Sequence, residues 1–416
     1  MDTPSDVIVK GSPASRGSAT GKVIIIRDAK EAHIKFTEGS ILVTDMTTPD
    51  FVPFMKKAAA IITCKGGRTC HAAIVSRELG IPCIVGTGNA LEVLKDGQMI
   101  TVDATTGKVY AGEQTITPDT NLAATMRHSK TKTNVYVNLA DPERAEEVAK
   151  MNVDGVGLLR AEFIVAHLGR HPRFMIEEGK GEEFTATLAE KISIFAKAFH
   201  PRPVTYRLTD FKTNEYRDLE GGEKYEPVEE NPMIGFRGAF RYSVDKDVFD
   251  LEAEALHRVE KIFDNVRIMI PFIHTPEELR TVKALLKEKN IGKAGIWMMA
   301  ELPSNVILLD KFLDVGVDGV SIGSNDLTQL TLGVDRDNER FAELFDERNE
   351  AVLWSLERII TTCKKRGVPV SICGQAPSVY PDLTQKLVEW GITSVSVSPD
   401  AVIATRNIIG DVEAKR

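Results

Sequence analysis

From residue 134 to the end, the chain repeats one rhythm: a short apolar run, then a longer stretch with apolar residues at helical spacing. Candidate strands are 135–139, 155–159, 204–208, 267–272, 295–300, 319–322, 368–372 and 395–397. Amphipathic helical patterns lie between most of them, at 277–289 and 338–366 for example. Eight such alternations over roughly 250 residues predict a (β/α)8 barrel of the TIM type. Neither coiled-coil heptads nor a low-complexity tract interrupts the pattern.

Residues able to do chemistry cluster just past these strand ends. Arg160 follows the second strand, Arg207 ends the third and Glu301 ends the fifth. Ser324-Asn325-Asp326 follows the sixth and Cys373-Gly374-Gln375 the seventh. In a parallel barrel all these ends open on one face, where active sites lie. Any one of them alone reads equally well as a salt-bridge partner or an inert core cysteine. Together they fit a site for an anion. Glu301 and Asp326 are hard oxygen ligands suited to Mg²⁺. Arg160, Arg207 and Arg237 can fork to phosphate or carboxylate. Arg237 lies in Asn231-Pro232-Met233-Ile234-Gly235-Phe236-Arg237-Gly238, whose Gly and Pro imply an enforced loop shape. Arg336 is a fourth candidate, although a lone arginine is more often a surface ion pair. The Cys373 thiol can deliver or remove a proton at carbon.

The first 112 residues read as a separate, small β/α domain. Short apolar runs at 23–26, 40–43, 60–62, 82–85 and 99–102 alternate with helical stretches at 51–58 and 71–79. The Gly-rich opening, residues 10–17, reads as a β-turn into the first strand, because no helix follows it. The most distinctive stretch is Cys64-Lys65-Gly66-Gly67-Arg68-Thr69-Cys70-His71-Ala72-Ala73. It follows a strand, turns on two glycines and enters a helix over 69–79 closed by Gly80. His71 thus falls in the first helical turn, where backbone N–H groups and the dipole favour an anion. An imidazole there can take a phosphoryl group. Without its context, the same histidine would read as a surface residue near a cap. Residues 113–133 are polar and Thr-rich, then basic, and read as a linker between a domain at 1–112 and one at 134–416.

Composition narrows the function classes. The 416 residues are 43% hydrophobic and 27% charged, with a net charge of −8. That balance argues against nucleic acid as the main partner and requires a local arginine cluster for any anionic substrate. The five cysteines (Cys64, Cys70, Cys83, Cys363, Cys373) show no zinc-like pairing and fit a reducing, cytoplasmic setting. Residues 1–11 carry no signal-peptide pattern, and no apolar run approaches the ~20 residues that span a bilayer.

The segment Gly66-Gly67-Arg68-Thr69-Cys70-His71-Ala72-Ala73, continuing into Arg77-Glu78-Leu79-Gly80-Ile81-Pro82, resembles the phosphohistidine loop of the phosphoenolpyruvate (PEP)-utilising enzymes. Thr47-Thr48-Pro49-Asp50 resembles the segment preceding the helix beside that loop. Gly157-Leu158-Leu159-Arg160-Ala161-Glu162-Phe163, Ser321-Ile322-Gly323-Ser324-Asn325-Asp326-Leu327-Thr328-Gln329-Leu330-Thr331 and Ile372-Cys373-Gly374-Gln375 resemble the barrel motifs of the same family, and the segments 207–216 and 231–238 resemble most closely its synthase branch. The resemblance implies a swivelling phosphohistidine domain ahead of a PEP/pyruvate-binding barrel. It implies His71 as phosphoryl carrier, Cys373 as acid/base, and Arg160, Arg207, Arg237, Ser324, Asn325 and Arg336 around the substrate. Mg²⁺ would sit on Glu301 and Asp326. Thr69 matches a threonine phosphorylated by regulatory kinases in some relatives, though it also reads simply as a helix cap. A homodimer through the barrel is implied as well. The family's ATP-binding domain has no counterpart here, since no nucleotide-binding loop is visible. The expectation is a phosphotransferase running the PEP–pyruvate half-reaction, with the ATP step left to a domain or subunit in cis or trans. A PEP–protein phosphotransferase of the enzyme I kind, and a non-catalytic PEP- or pyruvate-binding protein, are the alternatives.

Overall fold

The structure is a computed structural model and describes residues 7–48, 51–67, 70–116, 126–336, 338 and 344–416. Two compact units divide the chain: 1–124 with 334–345, and 125–333 with 346–416.

In the first unit one sheet has the strands β1 (Val7–Lys10), β2 (Ser12–Ser15), β3 (Ser18–Ile25), β4 (Ile41–Thr44), β5 (Ala60–Thr63), β6 (Cys83–Val85), β7 (Met99–Asp103) and β8 (Lys108–Ala111). Their order is β1-β8-β7-β3-β4-β5-β6-β2. The β3–β6 stretch is parallel, as its helical crossovers require, and the flanks are antiparallel. Five strands stand at the expected runs; β1, β2 and β8 were not singled out. The reading of 10–17 as a turn is corrected, since Ser12–Ser15 pairs with β6. Pro13 is tolerated there because β2 is the sheet edge. The helix expected over 51–58 is only Val52–Met55.

The second unit is a closed barrel of eight parallel strands: β9 (Asn134–Leu139), β10 (Gly155–Arg160), β11 (Val204–Arg207), β12 (Val266–Ile270), β13 (Ile296–Ala300), β14 (Gly319–Ile322), β15 (Val370–Ile372) and β16 (Ser394–Val397). All eight match the expected runs. β12 stops short of residue 272 because Pro271 cannot donate to the ladder, and β15 starts late, after Pro369. Residues alternate between two cores along each strand. Ile268, Ile270, Met298 and Ala300 pack outward against the helices. Leu158, Met269, Trp297, Met299 and Cys373 form a second, separate cluster. Thr275 caps the helix Pro276–Glu288 by accepting from the Glu278 N–H. The helix expected over 338–366 is shorter, at Glu350–Arg366, because Asn349 caps it at the Ala351 N–H.

Part of the expected linker is held firmly. The Arg127 N–H donates to Asn407 Oδ1 at 2.8 Å, and Lys132 and Thr133 N–H groups donate to Glu413 at 2.8 Å each. Residues 126–133 are thereby fastened to the barrel's last helix, Val402–Glu413. At the other end, the Gln114 N–H donates to Thr101 Oγ1 of the first unit at 2.9 Å.

Candidate active site

In the first unit, β5 leads through the glycine turn to the helix His71–Leu79, with Cys70 at the N-cap and His71 as its first residue. Gly80 ends the helix at φ 70°, a left-handed conformation that glycine adopts without strain. Arg77 pins the helix to β2, its Nε donating to the Ala14 carbonyl at 2.6 Å. His71 is half-buried, and its Nδ1 lies 2.8 Å from Thr47 Oγ1. Thr47 was quoted in the sequence only as part of a neighbouring segment; its hydrogen bond to an imidazole 24 positions away leaves no local trace. Thr69, Arg68, Pro49 and Asp50 lie outside the described residues.

In the second unit the expected residues gather at the C-terminal strand ends. Arg160 and Arg207 close β10 and β11 in paired register. Glu301 follows β13 and is 1% exposed; its Oε1 accepts the Phe272 N–H at 2.7 Å. Phe272 has φ 46°, a strained value for a non-glycine residue, and its ring lies 3.9 Å from the Arg237 guanidinium. Arg237 forks onto Asp210, with Nε–Oδ1 at 3.0 Å and Nη2–Oδ2 at 2.6 Å, and Nη2 also reaches Asp326 Oδ2 at 3.2 Å. Arg207 Nη2 donates to Glu162 Oε1 at 2.9 Å, and the same oxygen accepts the Asp210 N–H at 2.6 Å. Asn325 Oδ1 accepts the Gln375 N–H at 3.1 Å, joining the loops after β14 and β15. Ser324 is fully buried and its hydroxyl donates to Glu347. The loops approach closely because Gly323 and Gly374 lack side chains. A Cβ would stand 2.5 Å from Glu301 Oε2 at the first and 1.8 Å from Ser324 Oγ at the second.

Arg336 is the exception. It belongs to the segment 334–345, which groups with the first unit, so the barrel unit by itself does not contain it. Conversely, Glu162, Asp210 and Glu347 were not singled out in the sequence, though they build the site. Glu162 and Asp210 lie inside the two arginine motifs, so an acid next to a substrate-type arginine was the available signal. Glu347 had none, because only loop closure brings it to Ser324.

The electrostatics follow from burial. Arg207 and Arg237 are driven well above their ordinary range by Glu162, Asp210 and Asp326, against the desolvation that opposes them. Glu301 is pushed up to about 8, first by burial and then by the neighbouring carboxylates Asp326 and Asp210. Burial raises the Cys373 thiol to about 11, with Glu301 adding to the effect and Arg207 and Arg160 opposing it. Cys373 is therefore a thiol at neutral pH, a proton donor by default.

The donor set suits a divalent cation. Glu301 and Asp326 are buried carboxylates that repel each other, and Arg237, which reaches Asp326 at 3.2 Å, offsets only part of that repulsion. Among the described residues no group of three or more His, Cys, Asp or Glu side chains is arranged to hold a metal ion. Two protein carboxylates, with further oxygens from substrate and water, is the manner in which Mg²⁺ is held. The residues fit that ion, and they do not fit a closed zinc site.

A barrel with buried carboxylates and arginines at its mouth, joined in one chain to a small unit with a histidine at a helix start, is suited to an anionic substrate. Comparison with protein families gives the class: residues 117–414 match the PEP-binding domain of PEP-utilising enzymes, and residues 36–107 match their mobile domain. The chain belongs to the PEP-utilising enzyme family. It is 49% identical to a probable phosphoenolpyruvate synthase of Staphylothermus marinus over 98% of its own length and 52% of that protein. It is 46% identical to the phosphoenolpyruvate synthases of Aeropyrum pernix and Pyrococcus furiosus, over 99% of this chain in each case and 53% and 52% of those proteins. The chain thus spans about half the length of the curated relatives it matches. Among the described residues, no helix is long and apolar enough to cross a membrane.

Proposed function

We propose that this chain carries the half-reaction that moves a phosphoryl group between PEP and His71, with pyruvate as the other product. The observation that carries the reading is the convergence of Glu301, Asp326, Arg237 and Arg207 at one face of the barrel, with Cys373 beside them as a buried thiol.

Arg207 and Arg237 would hold the carboxylate and phosphate of PEP. Their planes are already set by Glu162 and Asp210, so little order is lost on binding. In the PEP-consuming direction, His71 attacks phosphorus, the P–O bond to the enol oxygen breaks, and the pyruvate enolate leaves. The Thr47 hydroxyl engages Nδ1; with Nδ1–H as the donor, Nε2 would be the nitrogen that takes the group. Cys373 then gives its proton to the methylene carbon, forming the methyl group of pyruvate. In the reverse direction the Cys373 thiolate removes that proton and the enolate oxygen attacks phospho-His71. The arginines offset charge on the transferred group, the usual source of catalysis in phosphoryl transfer. Glu301 and Asp326 would hold Mg²⁺, which supplies Lewis-acid stabilisation of negative charge on the substrate oxygens when bound.

A swivelling movement of the His71 unit between the barrel and a second site would complete a synthase. An ATP-binding domain or subunit would supply that second site, and a homodimer through the barrel and a cytoplasmic location fit the same reading. Incubation with labelled PEP and Mg²⁺ tests it: the wild-type chain becomes labelled and His71→Ala does not. Equal labelling of both refutes it. With an ATP-binding domain or subunit added, passage of the label onward to AMP and phosphate supports the synthase, whereas passage to a carrier protein supports an enzyme I-like role instead.

A further inference from the structure

Glu252 stands outside everything assigned so far. It lies on the helix Lys246–Glu260, 1% exposed, behind the end of β11. Its hydrogen bonds all come from neutral donors. Oε1 accepts the Tyr206 hydroxyl at 2.8 Å and the Thr209 N–H at 2.9 Å, and Oε2 accepts the Thr209 hydroxyl at 2.9 Å. A buried carboxyl group answered by no charge is costly, and burial lifts this one to about 7 against the pull of its three donors. A scaffold that needed only packing at this position would be served better by an apolar residue.

A carboxylate achieves here what an apolar side chain cannot. It takes both the backbone N–H and the side-chain hydroxyl of one residue, and so fixes Thr209 at two points. A third bond holds the far side of Thr209, whose carbonyl accepts the Tyr242 hydroxyl at 2.8 Å. The next residue is Asp210, with 0% of its side chain exposed. Its carboxylate receives the Arg237 fork, and its N–H shares Glu162 Oε1 with Arg207. The orientation of Thr209 is thus passed within one residue to both arginines.

We propose that Glu252 is a positioning residue: by pinning Thr209 at its N–H and hydroxyl, it fixes Asp210 and, through Asp210, the guanidinium planes of Arg237 and Arg207. It touches no substrate. The proposal rests on the reading of the barrel mouth as the PEP/pyruvate site and deepens it by naming what holds the anion clamp in register.

The test is the calorimetric affinity of the 416-residue chain for PEP with Mg²⁺, together with KM and kcat, at a temperature where each variant is shown to be folded. Glu252→Ala should weaken PEP binding about tenfold, and Thr209→Val, which removes a single hydroxyl, about threefold, in keeping with the loss of buried hydrogen bonds. The effect should fall mainly on KM, since Cys373 is untouched. Glu252→Gln should restore most of the affinity. Its amide oxygen can take the Tyr206 hydroxyl and the Thr209 N–H, and its NH₂ can donate to Thr209 Oγ1. A purely structural Glu252 would change the melting temperature and leave affinity where it was. Wild-type affinity in folded Glu252→Ala, or a Glu252→Gln as weak as the alanine variant, overturns the proposal. If Glu252→Ala does not fold, Thr209→Val decides: wild-type affinity there overturns the proposal as well. A wild-type chain that binds no PEP fails the functional reading itself, a result distinct from variants that bind as wild type does.

Discussion

The two units hold their key residues in opposite ways. His71 is half-buried at a helix start, steadied by the Thr47 hydroxyl. The barrel mouth is a buried ion network in which Arg207 and Arg237 are each answered by a carboxylate, and one of those carboxylates, Asp210, is held from behind. A group that must carry a phosphoryl load needs access and ties that exchange readily. A group that must read the shape of an anion needs fixed donors, and buried, paired arginines provide them. On the proposed function, the difference teaches that carrier and receiver are built to different tolerances: the histidine loop for exchange, the barrel mouth for preorganisation.

That contrast can be broken most severely at Cys373. Cys373→Ala should lower net conversion of PEP to pyruvate by roughly 10²- to 10⁴-fold, the usual worth of a general acid. Labelling of His71 by PEP should persist, because phosphoryl transfer precedes the proton step. Parallel kinetics of label uptake and pyruvate formation would show whether the two separate. Next in size, Asp210→Asn should lower kcat/KM about 10- to 100-fold by releasing the Arg237 fork, with KM rising more than kcat falls. Removal of divalent cations with a chelator should abolish labelling, and Mg²⁺ should restore it. On the carrier side, Thr47→Val should slow phosphoryl transfer about tenfold through a misoriented ring, a smaller loss than Asp210→Asn if the loop tolerates exchange.

The last effect is on stability. The Glu252 carboxyl is raised from its ordinary 4.5 to about 7, so the folded chain holds this proton more tightly than the unfolded one. Its contribution to stability is fully present below pH ~4.5 and is lost as pH rises through about 7. Glu252→Gln, which cannot ionise, should flatten the fall in barrel stability over that window by about 3 kcal/mol. Denaturant midpoints at pH 5 and pH 8 measure it; equal slopes in wild type and variant would remove the assigned shift.

Much of this molecule is legible in its amino-acid sequence. The eight barrel strands show there because a parallel strand covered on both faces is a nearly continuous apolar run, as in Ile296–Ala300. The helix at His71 shows because Gly80 closes it. β2 does not show: Ser12–Ser15 is short and polar, contains Pro13 and takes its pairing from β6 alone. The arginines at the strand ends are legible as residue types in a known setting. Their partners Glu162 and Asp210 stand inside the same motifs, but which acid meets which arginine is not legible, because pairing across 45 and 27 positions is a property of the closed barrel; the Ser324–Glu347 pair, 23 positions apart, leaves no local signal at all. Arg336 shows the converse: a motif residue whose segment groups with the other unit.

The central claim is that His71 and the barrel mouth serve one reversible half-reaction, which needs no nucleotide. Exchange of labelled pyruvate into PEP, with Mg²⁺ and no ATP, measures it directly. The account predicts steady exchange in the wild-type chain and none in His71→Ala or Cys373→Ala. Exchange that persists in His71→Ala would contradict it.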